Sequence, residues 1–125
     1  MPRLERLDHV SLNVRDREAS IEWYREMLGL AQQNEPSADG EPVFMGTFGA
    51  CIALFQARTE SASREPESSG LRHVAFALSG DELEAARTHL TSRGVAFRPE
   101  DHGNALSLYV PDPDGHVIEL TTYDR

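Results

Sequence analysis

Apolar and polar residues alternate near the start of the chain, in Leu7-Asp-His9-Val10-Ser-Leu12-Asn-Val14, which predicts a strand over residues 7–14. The period then lengthens. Ile21, Tyr24 and Leu28 recur at helical spacing, Asp16 stands where an N-cap belongs, and Gly29 stands where a left-handed residue would end the helix. The same order returns later: a strand over 71–78, then a helix over 81–93 with Leu83, Ala86 and Leu90 on one face and Gly94 as terminator. After each helix come three strand-like segments, 30–34, 42–48 and 50–57 in the first half, and 95–98, 105–110 and 116–123 in the second, with a turn at Pro-Asp-Pro-Asp-Gly115. Strands and helices mixed in this way predict an α+β protein.

The two halves repeat. Leu7-Asp-His9-Val-Ser-Leu12 matches Leu71-Arg-His73-Val-Ala-Phe76 at an offset of 64, Gly29 matches Gly94 at 65, and Gly49-Ala-Cys-Ile-Ala53-Leu54 matches Gly115-His-Val-Ile-Glu119-Leu120 at 66. An offset that drifts so little marks a duplicated β-α-β-β-β module. The chain is therefore expected to form a single domain, residues 1–125, with module 1 over 5–57, a linker over 58–70 and module 2 over 71–123. The linker is polar, rich in Ser and Glu, with one Pro.

Alternation sorts the residues of each strand onto faces. Val10, Leu12 and Val14 suit packing against a helix, which sends His9, Ser11 and Asn13 to the opposite face. Likewise Val74, Phe76 and Leu78 oppose His73, Ala75 and Ala77, and Ile118 and Leu120 oppose Val117, Glu119, Thr121 and Tyr123. A glutamate between Ile and Leu needs a partner, because an unpaired buried carboxylate costs several kcal/mol or takes up a proton. If the modules pair about a pseudo-twofold axis, His9, His73, Ala53 and Glu119 meet, and three of the four can ligate a metal. Two imidazoles and a carboxylate favour Fe(II) and also accommodate Mn(II), Co(II), Ni(II) or Zn(II). His116 falls on the face opposite Glu119 and is expected at the surface.

Charge and composition narrow the partners. A net charge of −9, with 39% apolar and 26% charged residues, fits a globular protein and argues against nucleic acid or an anionic membrane as partner. The N-terminal stretch lacks the apolar run of a signal peptide and no segment has membrane-spanning length, so the cytoplasm is the expected location. The single cysteine, Cys51, lies in an apolar run and is expected to be a buried small hydrophobe.

The stretches LDHVSLNV, SIEWYREMLGL, LRHVAFAL and SLYVPDPDGHVIEL, with the module order, resemble the vicinal oxygen chelate superfamily, which includes glyoxalase I, extradiol dioxygenases, fosfomycin-resistance enzymes and bleomycin-resistance proteins. The resemblance covers nearly the whole chain apart from the linker. It implies paired βαβββ modules whose mixed sheets curve around a central cavity, and His9, His73 and Glu119 as metal ligands. It also implies a small-molecule substrate that chelates the metal through adjacent oxygens, and a homodimer. Among the family's reactions, extradiol (catechol-type) ring cleavage fits best, since His102 and Tyr109 match in order the histidine and tyrosine placed around the bound catechol. Ser107 and Tyr109 resemble the substrate-facing strand of the fosfomycin enzymes, but Arg98 is the one cation near that stretch to hold a phosphonate. Glyoxalase I has a further acidic ligand where this chain has Ala53. A fosfomycin-type thiol transferase, a glyoxalase-like lyase and a bleomycin-resistance-like binding protein without catalysis remain the alternatives.

Overall fold

The structure is a computed structural model that describes residues 1–33, 40–47, 49–59 and 70–124. The chain divides into two compact units, Met1–Ser63 and Arg64–Arg125. Most of the linker expected at 58–70 lies outside the described residues.

The first unit runs β1 (Val10–Val14), α1 (Arg17–Leu28), β2 (Val43–Thr47) and β3 (Ala50–Gln56). Its sheet has the order β1-β3-β2, with β1 parallel and β2 antiparallel to β3. The Asp16 carboxylate accepts the Ala19 N–H at 3.2 Å and caps α1, and Gly29 closes it at φ +68°. Leu12, Val14, Val43, Met45, Ile52 and Leu54 share one buried face with Tyr24 of α1. The opposite face carries exposed Ser11 and Asn13, half-buried Phe44, Cys51 and Phe55, and buried Ala53. The strand expected over 30–34 is reduced to a bridge between Gln32 and Met45; Ala31-Gln-Gln33 offers no β-branched or large apolar side chain to hold a longer ladder, and residue 34 lies outside the described set. Residue 48, the expected end of the next strand, also lies outside it. Cys51 is half-buried rather than buried, because its ladder partner is Gly46, which has no side chain to cover it. Partial burial, then the charge of Asp8, pushes its thiol pKa up.

The second unit runs β4 (Val74–Ala77), α2 (Gly80–Ser92), β5 (Arg98–Asp101), β6 (Leu106–Pro111) and β7 (Val117–Thr122). Its sheet has the order β4-β7-β6-β5, with β4 parallel to β7 and the other pairs antiparallel. Ser79 caps α2 by accepting the Glu82 N–H at 3.1 Å. Leu83 and Leu90 of α2 are buried, as are Leu108, Val110, Ile118 and Leu120 on one face of the sheet. At the β6–β7 turn, Asp112 Oδ1 accepts the N–H groups of Asp114 (2.8 Å) and His116 (2.9 Å), and His116 is half-buried rather than at the surface. One strand is displaced from its expected position: β5 covers 98–101 instead of 95–98. The chain after α2 is still tied back to the helix, with the Val95 N–H donating to the Leu90 carbonyl. Pairing therefore starts at Arg98-Pro99-Glu100-Asp101, where a proline is tolerated because β5 is a sheet edge.

Candidate metal and substrate site

The sheet register of the second unit lines up the chemistry. Ala75 pairs with Glu119, Glu119 with Tyr109 and Tyr109 with Arg98; the next row is Ala77, Thr121, Ser107 and Glu100. Side chains of both rows leave the face opposite to the helix-packed one. His73 directly precedes β4 and follows the same alternation.

Glu119 is 8% exposed, and three of its neighbours converge on its carboxylate. His73 Nε2 lies 3.0 Å from Oε1, the Ser107 hydroxyl donates to Oε2 at 2.7 Å, and His102 Nε2 is 3.9 Å from Oε2. Ser107 Oγ also stands 2.9 Å from Thr121 Oγ1. The partner demanded by a glutamate between Ile118 and Leu120 is thus supplied inside the unit. The 3.0 Å between His73 Nε2 and Glu119 Oε1 suits a shared proton. It also suits two donors each about 2.1 Å from one ion at roughly a right angle. A nitrogen and an oxygen of this kind fit a borderline divalent cation.

Tyr109 is the hub of the outer part of the face. Its hydroxyl lies 3.1 Å from His102 Nε2, and its ring meets the His73 ring edge-on at 5.7 Å between centroids. The Arg98 guanidinium carbon sits 4.5 Å from the Tyr109 ring centroid, within cation–π range, while Arg98 also pairs with Glu100 at 3.1 Å. Burial, then the charge of Glu119 and its hydrogen bond, raises the phenol pKa; Arg98 opposes the rise and Glu100 adds to it. The hydroxyl therefore keeps its proton at neutral pH. Beside it opens a cavity of ≈ 380 Å³ lined by Ala96, Phe97, Arg98, Tyr109, Pro111 and Val117, a size that suits a small organic molecule.

The first unit holds His9. Its Nδ1 lies 2.8 Å from Asp8 Oδ2, and its ring stands edge-on to Phe44 with centroids 5.2 Å apart. That hydrogen bond lowers the Asp8 pKa, although burial opposes it; the charges of His9 and Arg6 add to the lowering. Ser107, Tyr109, His102, His73 and Glu119 come together in the second unit, whereas His9 stands in the first. Among the described residues, neither unit by itself contains three His, Cys, Asp or Glu side chains placed to hold a metal ion. Ala53, opposite Ser11 and Phe44, is fully buried. Two partners escaped the sequence reasoning. Thr121 was visible as the same-face neighbour of Glu119 two residues on. Asp8, next to His9, carried no periodic signal, since adjacent residues of a regular strand point apart.

Comparison with known proteins gives these arrangements a family. The chain is 29% identical over 117 residues to the glutathione transferase FosA of Serratia marcescens, covering 94% of this chain and 80% of that protein. It is 32% identical over 125 residues to biphenyl-2,3-diol 1,2-dioxygenase 2 of Rhodococcus globerulus, covering 90% of this chain and 60% of that protein. The crystal structure of a glyoxylase/bleomycin resistance protein/dioxygenase domain from Frankia sp. EAN1pec superposes with a TM-score of 0.82 at 26% identity, covering 98% of this chain and 95% of that one. Residues 6–120 match the family model, and the chain belongs to the glyoxalase/bleomycin resistance protein/dioxygenase superfamily, the vicinal oxygen chelate fold.

Proposed function

We propose that the protein is a divalent-metal-dependent enzyme acting on a small molecule with adjacent oxygen donors, most like an extradiol dioxygenase, with His9, His73 and Glu119 as ligands. The observation that carries this reading is the contact of His102 Nε2 with the Tyr109 hydroxyl, 3.1 Å, on the sheet face that holds the His73–Glu119 pair. The cation, with Fe(II) favoured, would supply Lewis acidity toward two neighbouring substrate oxygens and one-electron chemistry with dioxygen.

The residues of the chain do the rest. Ser107 fixes the Glu119 carboxylate. Tyr109, protonated at neutral pH, donates to a diol oxygen, and His102 takes or returns the diol proton. Substituents on the ring would enter the cavity beside Tyr109. In ring cleavage the carbon–carbon bond beside the diol breaks and both atoms of dioxygen enter the product, so no external reductant is required. The same reading takes the two units as modules of one domain, in a cytoplasmic homodimer; among the described residues, no helix is long and apolar enough to cross a membrane.

A second reading, thiol transfer to an epoxide, is favoured by the FosA relative, 80% of whose length is matched, against 60% for the biphenyl-diol dioxygenase. It is disfavoured by the engagement of Arg98 with Glu100 and the Tyr109 ring. Anaerobic Fe(II) loading followed by air and a catechol panel tests the first reading, which expects a yellow ring-fission product. No product from any catechol, with turnover of thiol plus epoxide under Mn(II), would move the assignment to the second.

A further inference from the structure

We infer that Asp8 is a positioning residue for His9: its carboxylate holds the imidazole in the Nδ1–H tautomer and so presents the Nε2 lone pair to a divalent cation. A neutral imidazole has one N–H and one lone pair, and the hydrogen bond made by one nitrogen decides which is which. With Asp8 Oδ2 2.8 Å from Nδ1, the proton belongs on Nδ1, because an ionised carboxylate can only accept. Phe44, edge-on to the ring at 87°, limits its rotation from the other side. A carboxylate on the non-ligating nitrogen is the usual means of fixing a metal-binding histidine.

The duplication makes the role specific to one module. At the position equivalent to Asp8 the second module has Arg72, which has no acceptor to offer His73. His73 is oriented instead by its Nε2 contact with Glu119. The two imidazoles are therefore held by different means, His9 at Nδ1 through its chain neighbour and His73 at Nε2 through a residue of β7. Asp8 is well exposed, with 66% of its side chain accessible, and precedes β1, so changing it leaves the cores of both units intact.

The role of Asp8 rests on His9 being a ligand, as proposed, and the test separates the two. Nitrogen-15 shifts of the metal-free protein, recorded where the histidines are neutral, report the His9 tautomer directly, and titration with Co(II) reports affinity. Wild type should show Nδ1–H. Asp8→Ala and Asp8→Arg should shift His9 toward Nε2–H and weaken Co(II) binding about 10- to 100-fold. Asp8→Asn, whose amide oxygen still accepts from Nδ1–H, should keep the wild-type tautomer and most of the affinity. An unchanged tautomer in both Asp8→Ala and Asp8→Arg, or wild-type Co(II) affinity in them while His9→Ala loses binding, would overturn the inference and leave the metal site standing. Co(II) affinity unchanged in His9→Ala would remove His9 from the ligand set and the inference with it.

Discussion

Ser107 reaches Glu119 diagonally: the β6–β7 register pairs Ser107 with Thr121, yet its hydroxyl lies 2.7 Å from Glu119 Oε2, two pairs along the ladder and in the next row of the same face. Both residues are buried, so that hydroxyl replaces a water the carboxylate would otherwise need. The pair links the stability of the second sheet to the orientation of its candidate ligand.

Removing the hydroxyl should therefore be felt in the metal-free protein. Ser107→Ala is expected to cost about 1.5–3 kcal/mol in urea unfolding, the range for a hydrogen bond to a charged group. A cycle with Glu119→Gln should return a coupling above about 0.5 kcal/mol. Additive losses would mean that the two side chains do not support one another.

The His73–Glu119 contact of 3.0 Å predicts a matched pair of metal phenotypes. His73→Ala and Glu119→Gln should each lose at least about 100-fold in Mn(II) or Co(II) affinity, the upper end of what removal of even an outer partner costs. Calorimetric titration of the metal-free variants checks this. Binding within threefold of wild type in either variant would take that residue out of the site.

Tyr109→Phe keeps the ring that meets Arg98 and His73 and deletes only the hydroxyl. It should lower kcat about 10²-fold, a general acid–base magnitude, with a small change in KM. The phenol pKa is raised above its ordinary 10.0, so wild type should lose one late-ionising phenol from its absorbance titration when Tyr109 is replaced. The sign for stability follows. The folded state holds this proton more tightly than the unfolded chain, so the contribution is full below the unfolded pKa and disappears as pH rises through the folded one. Alkaline unfolding of wild type and Tyr109→Phe, compared between about pH 9 and 11, measures the difference.

Much of this is legible in the sequence alone. Period-two alternation is enough to place His73 and Glu119 on a non-core face, because their neighbours Val74, Ile118 and Leu120 are aliphatic; Ile118 and Leu120 are buried and Val74 is half-buried. Tyr109 and Ser107 followed by the same rule. The failures have a common cause, weak local patterning. Arg98-Pro99-Glu100-Asp101 has no apolar alternation and contains a proline, so only its edge pairing with β6 makes it a strand. Gln32 pairs with Met45 through backbone groups that carry no compositional mark. The Asp8–His9 contact arises where the chain has not yet entered β1, and regular strand geometry would have denied it.

Gly46 offers a test of the first unit that involves no candidate ligand. It sits within β2 opposite Cys51 at φ +110°, and a Cβ there would overlap the backbone carbonyl of Ala50. Neither atom can retreat without opening the β2–β3 ladder, which is also the ladder that carries Phe44 beside His9. Gly49 is the natural control: its φ is +82°, but a Cβ would meet nothing within 4 Å. Gly49→Ala should thus cost only the left-handed backbone conformation, about 1–2 kcal/mol. Gly46→Ala adds overlap to strain and should cost more than about 3 kcal/mol, read as a larger drop in the urea midpoint. Equal losses in the two variants would mean that the ladder yields at Gly46, and that the spacing of β2 against β3 is softer than its register implies.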